Sequence, residues 1–422
     1  MVLFCRYLGL FYSNRCSWYY PLKKVDSWSI YRECKRNFRN ITFRRYNFML
    51  ITDGKIISPV LVQTALFNQI PIYYLNDKRP LDLEAGSKVL TTSEDCLELL
   101  EFNNHHHPNV KASKLVKNKA EFRRISASIN KDLYYRLLNI EDLMKMNKES
   151  LPFPVVIKPN KGYGSIGVYI VQEEKDWEQA VQDLYCDILL AKNLYSDSVI
   201  DSGQIIIEEW INGQEYALDC YYDQEGEPVI LNILKRRFMD DKDTSDRIYY
   251  TSSEIIEEVK DQALDYLRQL NTKLSLKNYP FHIEMRDSVK GMVPIEMNPL
   301  RFAGIGTTDV SYHAYGINAS ESYYLDSKPD WNPIISREDQ SLYGFFCAEI
   351  PNHISMNLVD GINHELLEKE FSEVLEYRII ESTTDRTFAV IFFKADDIEE
   401  IDRLLQLDLS SYIHLKTAEV IK

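Results

Sequence analysis

Apolar residues along the chain alternate between helical spacing and short β-branched runs. Phe48–Thr52 reads as a strand, Val60, Leu61, Ala65 and Leu66 give Pro59–Asn68 a helical period, and Ile70–Leu75 reads as a second strand. Strand, helix, strand predicts a small α/β domain over residues 49–112. Lys114–Asn130, starting near Ser113 and carrying Lys119, Phe122 and Ile125, is predicted helical, as is the segment marked by Trp177, Ala180, Val181, Leu184 and Ile188. Gln204–Trp210 is the next strand, and Tyr216–Tyr222 with Pro228–Leu234 reads as an antiparallel pair around Asp223–Glu227. Ile256, Val259, Ala263, Leu267 and Leu270 mark a long amphipathic helix capped by Ser252 or Ser253. Two further strands, Phe281–Arg286 and Met292–Asn298, flank Asp287–Gly291. From about residue 335 the pattern changes. Strands Tyr343–Ile350 and Ala389–Lys394 and a helix Asp397–Leu405 predict a small α+β domain over 335–422, in which no chemistry is evident.

The most informative stretch is Pro154–Val171, PVVIKPNKGYGSIGVYIV. An apolar run ends in Lys158, a loop holds Gly162, Gly164, Ser165 and Gly167, and a second β-rich run follows. A lysine leaving a strand into such a loop suits a phosphate: backbone N–H groups approach where no Cβ intervenes, and the ammonium adds a point charge. The glycines spell GxGxxG, but a dinucleotide fingerprint must open a helix. Here another strand follows at once, so the reading is a hairpin flap. An ordinary glycine-rich hairpin with an incidental lysine has the same texture.

Composition narrows the class. The 422 residues suffice for two or three domains, and 45% hydrophobic with 27% charged residues is ordinary for a globular protein. Residues 1–48 hold ten Lys/Arg against two Asp/Glu, a net of +8, so the −15 of the whole chain leaves −23 for the rest. That acidic body argues against nucleic acid as the main partner. The basic segment has the make-up of an organellar transit peptide, or of an upstream-start artefact ahead of Met49, and is set aside from the fold. No apolar run is long enough for a membrane helix. Seven scattered cysteines without metal spacing read as reduced thiols in the cytoplasm. His105–His107, beside asparagines and a proline, reads as a solvated loop rather than a metal site.

Two constellations add chemistry. If the hairpin turn is centred near Lys290, Glu284 and Glu296 oppose each other, and like charges so placed are destabilising. A divalent cation between them turns repulsion into coordination, and Asn298, two residues on, adds an amide oxygen on the same face. Such hard oxygen ligands suit Mg²⁺. The alternative is two acids facing water on an edge hairpin, with Ile283, Met285, Ile295 and Met297 on its other side. In EEWINGQEY (208–216), Glu208 ends a strand, Gly213 allows a bend and Glu215 opens the next strand. The strand edge offers backbone groups to a base and the later acid can accept ribose hydroxyls, although strand ends with two acids are common.

Lys119, Lys158 with its flap, Glu208–Glu215 and the Glu284/Glu296/Asn298 hairpin occur in an order that resembles the ATP-grasp superfamily over residues 115–320. EEWINGQE is similar to the corresponding segment of D-alanine–D-alanine ligases, and IEMNP to the metal strand of carboxylate–amine ligases. The resemblance implies an α+β ATP-grasp fold, with a nucleotide domain over 113–330 between the two smaller domains. It implies that Lys119 and Lys158 bind the ATP phosphates and that Gly164, Ser165 and Gly167 belong to the flap. Glu208, Glu209, Trp210 and Ile211 would hold adenine and Glu215 the ribose. Glu284, Glu296 and Asn298 would bind one or two Mg²⁺, with Mn²⁺ as an alternative ion. Lys235 or Arg237 would meet the γ-phosphate. Relatives place arginine directly after the Asn-Pro of the metal strand; here Leu300 intervenes and Arg301 follows as the candidate ligand for a substrate carboxylate or acyl phosphate. The loop FAGIGTTD (302–309) departs from the D-alanine ligases, which puts their substrate in doubt.

The implied function is ATP-dependent ligation of a small-molecule carboxylate to an amine through an acyl phosphate, by a cytoplasmic enzyme with neither nucleic-acid nor membrane partner. The alternatives are an ATP-grasp small-molecule kinase and a nucleotide-binding regulator without turnover. The substrates, the oligomeric state and the roles of the two terminal segments stay open.

Overall fold

Three sheets organise the described residues, and their order along the sequence brings the lysines and the acidic hairpin to one place. The computed structural model describes residues 47–416, apart from 55–57, 78–80, 82, 85, 163–165, 193–202, 240–242, 244 and 382–384. Almost all of the basic segment 1–48, and Gly164 and Ser165 of the flap, thus lie outside the described residues.

The first sheet is parallel: β1 (Phe48–Thr52), β2 (Ile72–Tyr74) and β3 (Lys88–Thr91), in the order β2-β1-β3. Helix α1 (Pro59–Phe67) opens at Ser58, whose hydroxyl accepts from Leu61 N, with proline at the first helical position. α2 (Glu94–Asn103) follows β3. The helix predicted from Ser113 to Asn130 is instead two: α3 (Pro108–Lys117) and α4 (Lys119–Ser126). Asn118 interrupts them because its side chain accepts from Glu121 N and caps a new helix, with its backbone extended at φ −79° and ψ 106°. His107 is not solvated as predicted: it is buried, caps α3 through Asn109 N, and its Nε2 meets Glu84 O. His105 and His106 are exposed.

The second sheet is antiparallel: β4 (Tyr135–Asn139), β5 (Val155–Pro159), β6 (Tyr169–Val171) and β7 (Gln204–Glu209), in the order β4-β7-β5-β6. The flap is the hairpin β5–β6, pairing Val155 with Val171 and Ile157 with Tyr169. Helix α5 (Trp177–Ala191) covers this sheet, burying Trp177, Val181, Leu184 and Ile188 against Val155, Ile157, Ile205 and Ile207. Gly167 has φ +69°, and a Cβ there would lie 3.1 Å from Leu184 Cδ1, so its lack of a side chain serves the turn and the packing of α5.

The third sheet has eight strands: β8 (Gln214–Tyr222), β9 (Pro228–Arg237), β10 (Ile248–Thr251), β11 (Tyr279–Ser288), β12 (Gly291–Pro299), β13 (Leu342–Glu349), β15 (Glu373–Ile379) and β16 (Thr387–Ala395). Their order is β12-β11-β8-β9-β10-β13-β16-β15, so strands from beyond residue 335 extend the sheet that holds the acidic hairpin. β14 (Val359–Ile362) and β17 (Ile413–Leu415) pair separately. Helix α6 (Ser253–Leu274), capped by Ser252, buries Ile256, Val259, Ala263, Leu267 and Leu270 in one core with Tyr216, Leu218, Ile283, Met285 and Met297. Ile295, expected among these, is only half-buried. The register slips between Glu284 and Met285, so that Met285 faces Pro294 and Ile295 is the extra residue of a bulge.

Candidate functional site

Alternation leaves the other face of β8, β9, β11 and β12 polar. Glu284 stands opposite Glu296, and His282 stands opposite both Asn298 on β12 and Asp219 on β8. The Glu284 and Glu296 side chains keep 19% and 25% of their exposure, so both are reachable. Burial, and then the charge of Glu296, raise the carboxyl pKa of Glu284. Burial acts in the same direction on Glu296, but Lys119 and a hydrogen bond from Asn298 outweigh it and hold that carboxyl at about 2. Asn298 Nδ2 donates to Glu296 Oε1 at 3.0 Å, and among the described residues no donor reaches its Oδ1. Two opposed carboxylates and an unpaired amide oxygen fit a hard dication. Among the described residues no cluster of three or more His, Cys, Asp or Glu is arranged to hold a metal. A cation held here would rest on this pair, Asn298 and oxygens supplied by a ligand.

The lysines converge on this face. Lys119 opens α4, and its Nζ lies 3.4 Å from Glu296 Oε2. The helix start is pinned by buried Asn160, which follows β5: Lys119 N donates to Asn160 O and Ala120 N to Asn160 Oδ1, each at 3.0 Å. Lys158, on β5, is buried with Nζ 2.5 Å from Glu208 Oε2 on the neighbouring β7. The other oxygen of Glu208 accepts from Arg123 Nε, one turn beyond Lys119 on α4. Burial acts against the charge of Glu208, but Arg123 and Lys158 overcome it and hold the carboxyl at about 2. Burial lowers the pKa of Lys158. Arg123 escaped the sequence reading; the i, i+4 spacing from Lys119 on a capped helix is the signal that finds it.

Next to Glu208 the chain leaves β7. Glu209 is turned to Lys290 on the far side. Trp210 N donates to Pro154 O at 2.9 Å and Ile211 O accepts from Arg286 Nη1 at 2.8 Å, while among the described residues Ile211 N and Trp210 O have no hydrogen-bond partner. The turn is tight at Gly213, where a Cβ would sit 1.9 Å from Asp287 O. Glu215 is buried between two arginines: Arg236 Nη1 at 2.7 Å from one oxygen and Arg286 at 2.9–3.0 Å from the other. The Arg286 guanidinium stacks 4.0 Å from the Trp210 ring.

Of the three consecutive cations on β9, only the middle one reaches this face. Lys235 pairs in register with core residue Tyr216 and lies over its ring, and Arg237 is bound through Nε and Nη2 to Asp402. The structure therefore does not bring the candidates Lys235 and Arg237 to the site, because strand alternation gives that face to Arg236. Two further residues were missed. Asp219 accepts from Asn232 Nδ2, pairs with His282 Nδ1 at 2.9 Å and receives Ala303 N at 2.7 Å. Burial opposes a charge on His282, but Asp219 and Glu284 raise its pKa to about 9. The i, i+2 spacing of His282, Glu284 and Arg286 is the pattern that would have shown them on one face.

Past β12, Leu300 adopts φ +55°. The next residue, Arg301, brings its Nε to 3.2 Å from Glu94 Oε1. A mixed pocket open to solvent lies between α1 and the 302–309 segment, with Ser58, Leu61, Thr92, Phe302, Asp309 and Asn318 among its lining. Asp309 accepts from Ser58 Oγ and pairs with Arg378 Nη2 at 2.8 Å. No helix of the described residues is long and apolar enough to cross a membrane.

Residues 151–309 match the model of the ATP-grasp domain. A D-alanine–D-alanine ligase of Clostridium botulinum is 25% identical over 171 residues, covering 37% of this chain and 52% of the relative. The chain thus spans about half the length of that relative. Among solved structures, the L-amino acid ligase of Bacillus licheniformis superposes with a TM-score of 0.62 at 17% identity, covering 89% of this chain and 99% of that one. The biotin carboxylase domain of Hydrogenobacter thermophilus 2-oxoglutarate carboxylase, crystallised with MgADP, gives 0.56 at 14% identity over 89% and 91%. At such identities these structures establish the shared fold.

Proposed function

With residues 151–309 making the chain a member of the ATP-grasp superfamily, we propose that it is an ATP- and Mg²⁺-dependent ligase joining a small-molecule carboxylate to an amine. The observation that carries this reading is the pairing of Glu284 with Glu296 on the same face as the Lys119–Glu296 contact. The relatives' names, D-alanine–D-alanine ligase and L-amino acid ligase, give the reaction class by analogy.

Each residue's part follows from its contacts. Ile211 N and Trp210 O, the backbone groups left unpaired beside β7, suit the base edge of adenine. Glu215, with both oxygens taken by arginines, suits the ribose less than a role in holding Arg236 toward the phosphates and Arg286 against Trp210 and Ile211. Lys119 and Lys158 bind the phosphate oxygens, and Arg236 replaces Lys235 and Arg237 as the cation meeting the γ-phosphate. Glu284, Glu296 and Asn298 would hold one or two Mg²⁺, or Mn²⁺, which when bound neutralise charge on the phosphates. The flap hairpin excludes water from the reacting centre.

In the proposed reaction a carboxylate oxygen attacks the γ-phosphorus and ADP leaves. The amine nitrogen then attacks the acyl carbon, phosphate departs with the C–O electron pair, and the nitrogen loses a proton. Catalysis rests on positioning and charge, with no protein nucleophile. Arg301 steadies the acyl phosphate, and the pocket at Ser58 and Asp309 receives one of the two substrates. Hydroxylamine tests the intermediate: with MgATP and pooled carboxylates it should yield a hydroxamate and ADP. A phosphorylated product that resists hydroxylamine would instead mark a kinase.

A further inference from the structure

We infer that Glu94 is a positioning residue that holds Arg301 and Lys117 together as a cationic arm beside the phosphate end of the site. This rests on the nucleotide-site reading above. Glu94 opens α2, in the α/β segment that precedes the nucleotide elements, and belongs to no motif of the sequence. It is 6% exposed, yet neither oxygen is idle: Oε2 takes Lys117 Nζ and Oε1 takes Arg301 Nε. Lys117 ends α3 just before the Asn118 cap that starts the Lys119 helix. Arg301 stands two residues beyond β12. One carboxylate thus gathers cations from the two elements that flank the Lys119–Glu296 contact.

The backbone reinforces this arrangement. Thr91, the last residue of β3, donates from N and from Oγ1 to Leu300 O, at 2.7 and 3.1 Å, and bridges Arg301 in parallel. The left-handed Leu300 and this bridge fix where Arg301 leaves the chain, while the side chain needs its own anchor. Glu94 provides it. The group is electrostatically continuous with the cation site: Glu94 interacts with Glu296 as well as with its two partners, and Lys117 with Lys119 and Glu296. Two cations against one carboxylate leave a surplus positive charge. On Arg301, Nε is used by Glu94 and Nη1 by Phe302 O at 3.1 Å, which leaves Nη2 without a partner among the described residues. A guanidinium held by one edge with a free donor is prepared for a phosphate or acyl-phosphate oxygen.

The experiment measures MgADP binding, and then inorganic phosphate binding to the protein–MgADP complex, by calorimetry. Wild type, Glu94→Gln, Arg301→Met and the double variant are compared. Glu94→Gln should leave MgADP affinity within about twofold and weaken phosphate by about tenfold, with the double variant no weaker than Arg301→Met alone. Unchanged phosphate affinity with a lowered melting temperature would reduce Glu94 to a structural tie. Additive losses would show that it does not act through Arg301. Arg301→Lys keeps the charge without the fork and does not depend on Glu94→Gln folding: weakened phosphate supports the arm, and unchanged phosphate overturns it. A wild type that binds MgADP but no phosphate refutes the arm alone, whereas one that binds no MgADP refutes the nucleotide site and the arm with it.

Discussion

Lys158 and Arg123 share one buried carboxylate, Glu208, and each of the three is costly to leave alone in that environment. Removing one partner of a buried ion pair typically costs about 3–5 kcal/mol, so Arg123→Met should lower unfolding stability by that order in urea titrations. An unchanged midpoint would mean that Lys158 alone satisfies Glu208. The pH dependence follows from the same group. Its folded pKa of about 2 lies below the unfolded value near 4.3, so its stabilisation is present above the unfolded value and is lost as pH falls through the folded one. Acid titration of Glu208→Gln should therefore show a flatter stability profile than wild type in that window. Lys158→Ala is expected to weaken MgATP about tenfold or more, and unchanged affinity would remove Lys158 from the site. Glu296→Gln should abolish turnover with the fold intact. Mg²⁺ is expected to raise the melting temperature of wild type and not of Glu296→Gln, since the opposed pair that gains most from a dication is then broken.

At the scale of elements, the turn between β7 and β8 has no room for a side chain. Gly213→Ala would set a Cβ against the Asp287 carbonyl, and overpacking of this kind costs about 1–3 kcal/mol. The same change should shift Trp210 and Ile211, so a loss of nucleotide affinity beside a lowered melting temperature is the expected pair of results. A fully tolerated substitution would show that the turn is loose. Elements of this sort were legible in the sequence where local signals agree. The Ser252 cap, the alternation along FHIEMR and IEMNP, and the β5–β6 hairpin needed no tertiary knowledge. Other features are set by register. Three cations in a row on β9 look equivalent until β8 fixes Tyr216 opposite Lys235. β4 escaped notice because its residues are half-exposed and lack the β-branched run of its neighbours. Glu94 escaped because its partners lie 23 and 207 residues away.

Across the whole molecule, the eight-stranded sheet carries the acidic hairpin at one edge and the strands from beyond residue 342 at the other. The first sheet is joined to the end of β12 through Thr91 and Glu94. The pocket at Ser58 and Asp309 lies beside that junction and is braced by Arg378 of β15. The acidic hairpin is thereby flanked by segments distant in sequence; the proposed acyl phosphate, which hydrolyses readily, would need such flanking segments to keep water out. The most direct measurement is mass spectrometry of the protein incubated with ATP, Mg²⁺ and pooled amino acids and short peptides. ADP together with a new product heavier by an amide condensation is the expected result. ATP consumed with only a phosphorylated product, or ATP neither bound nor consumed, would contradict a carboxylate–amine ligase.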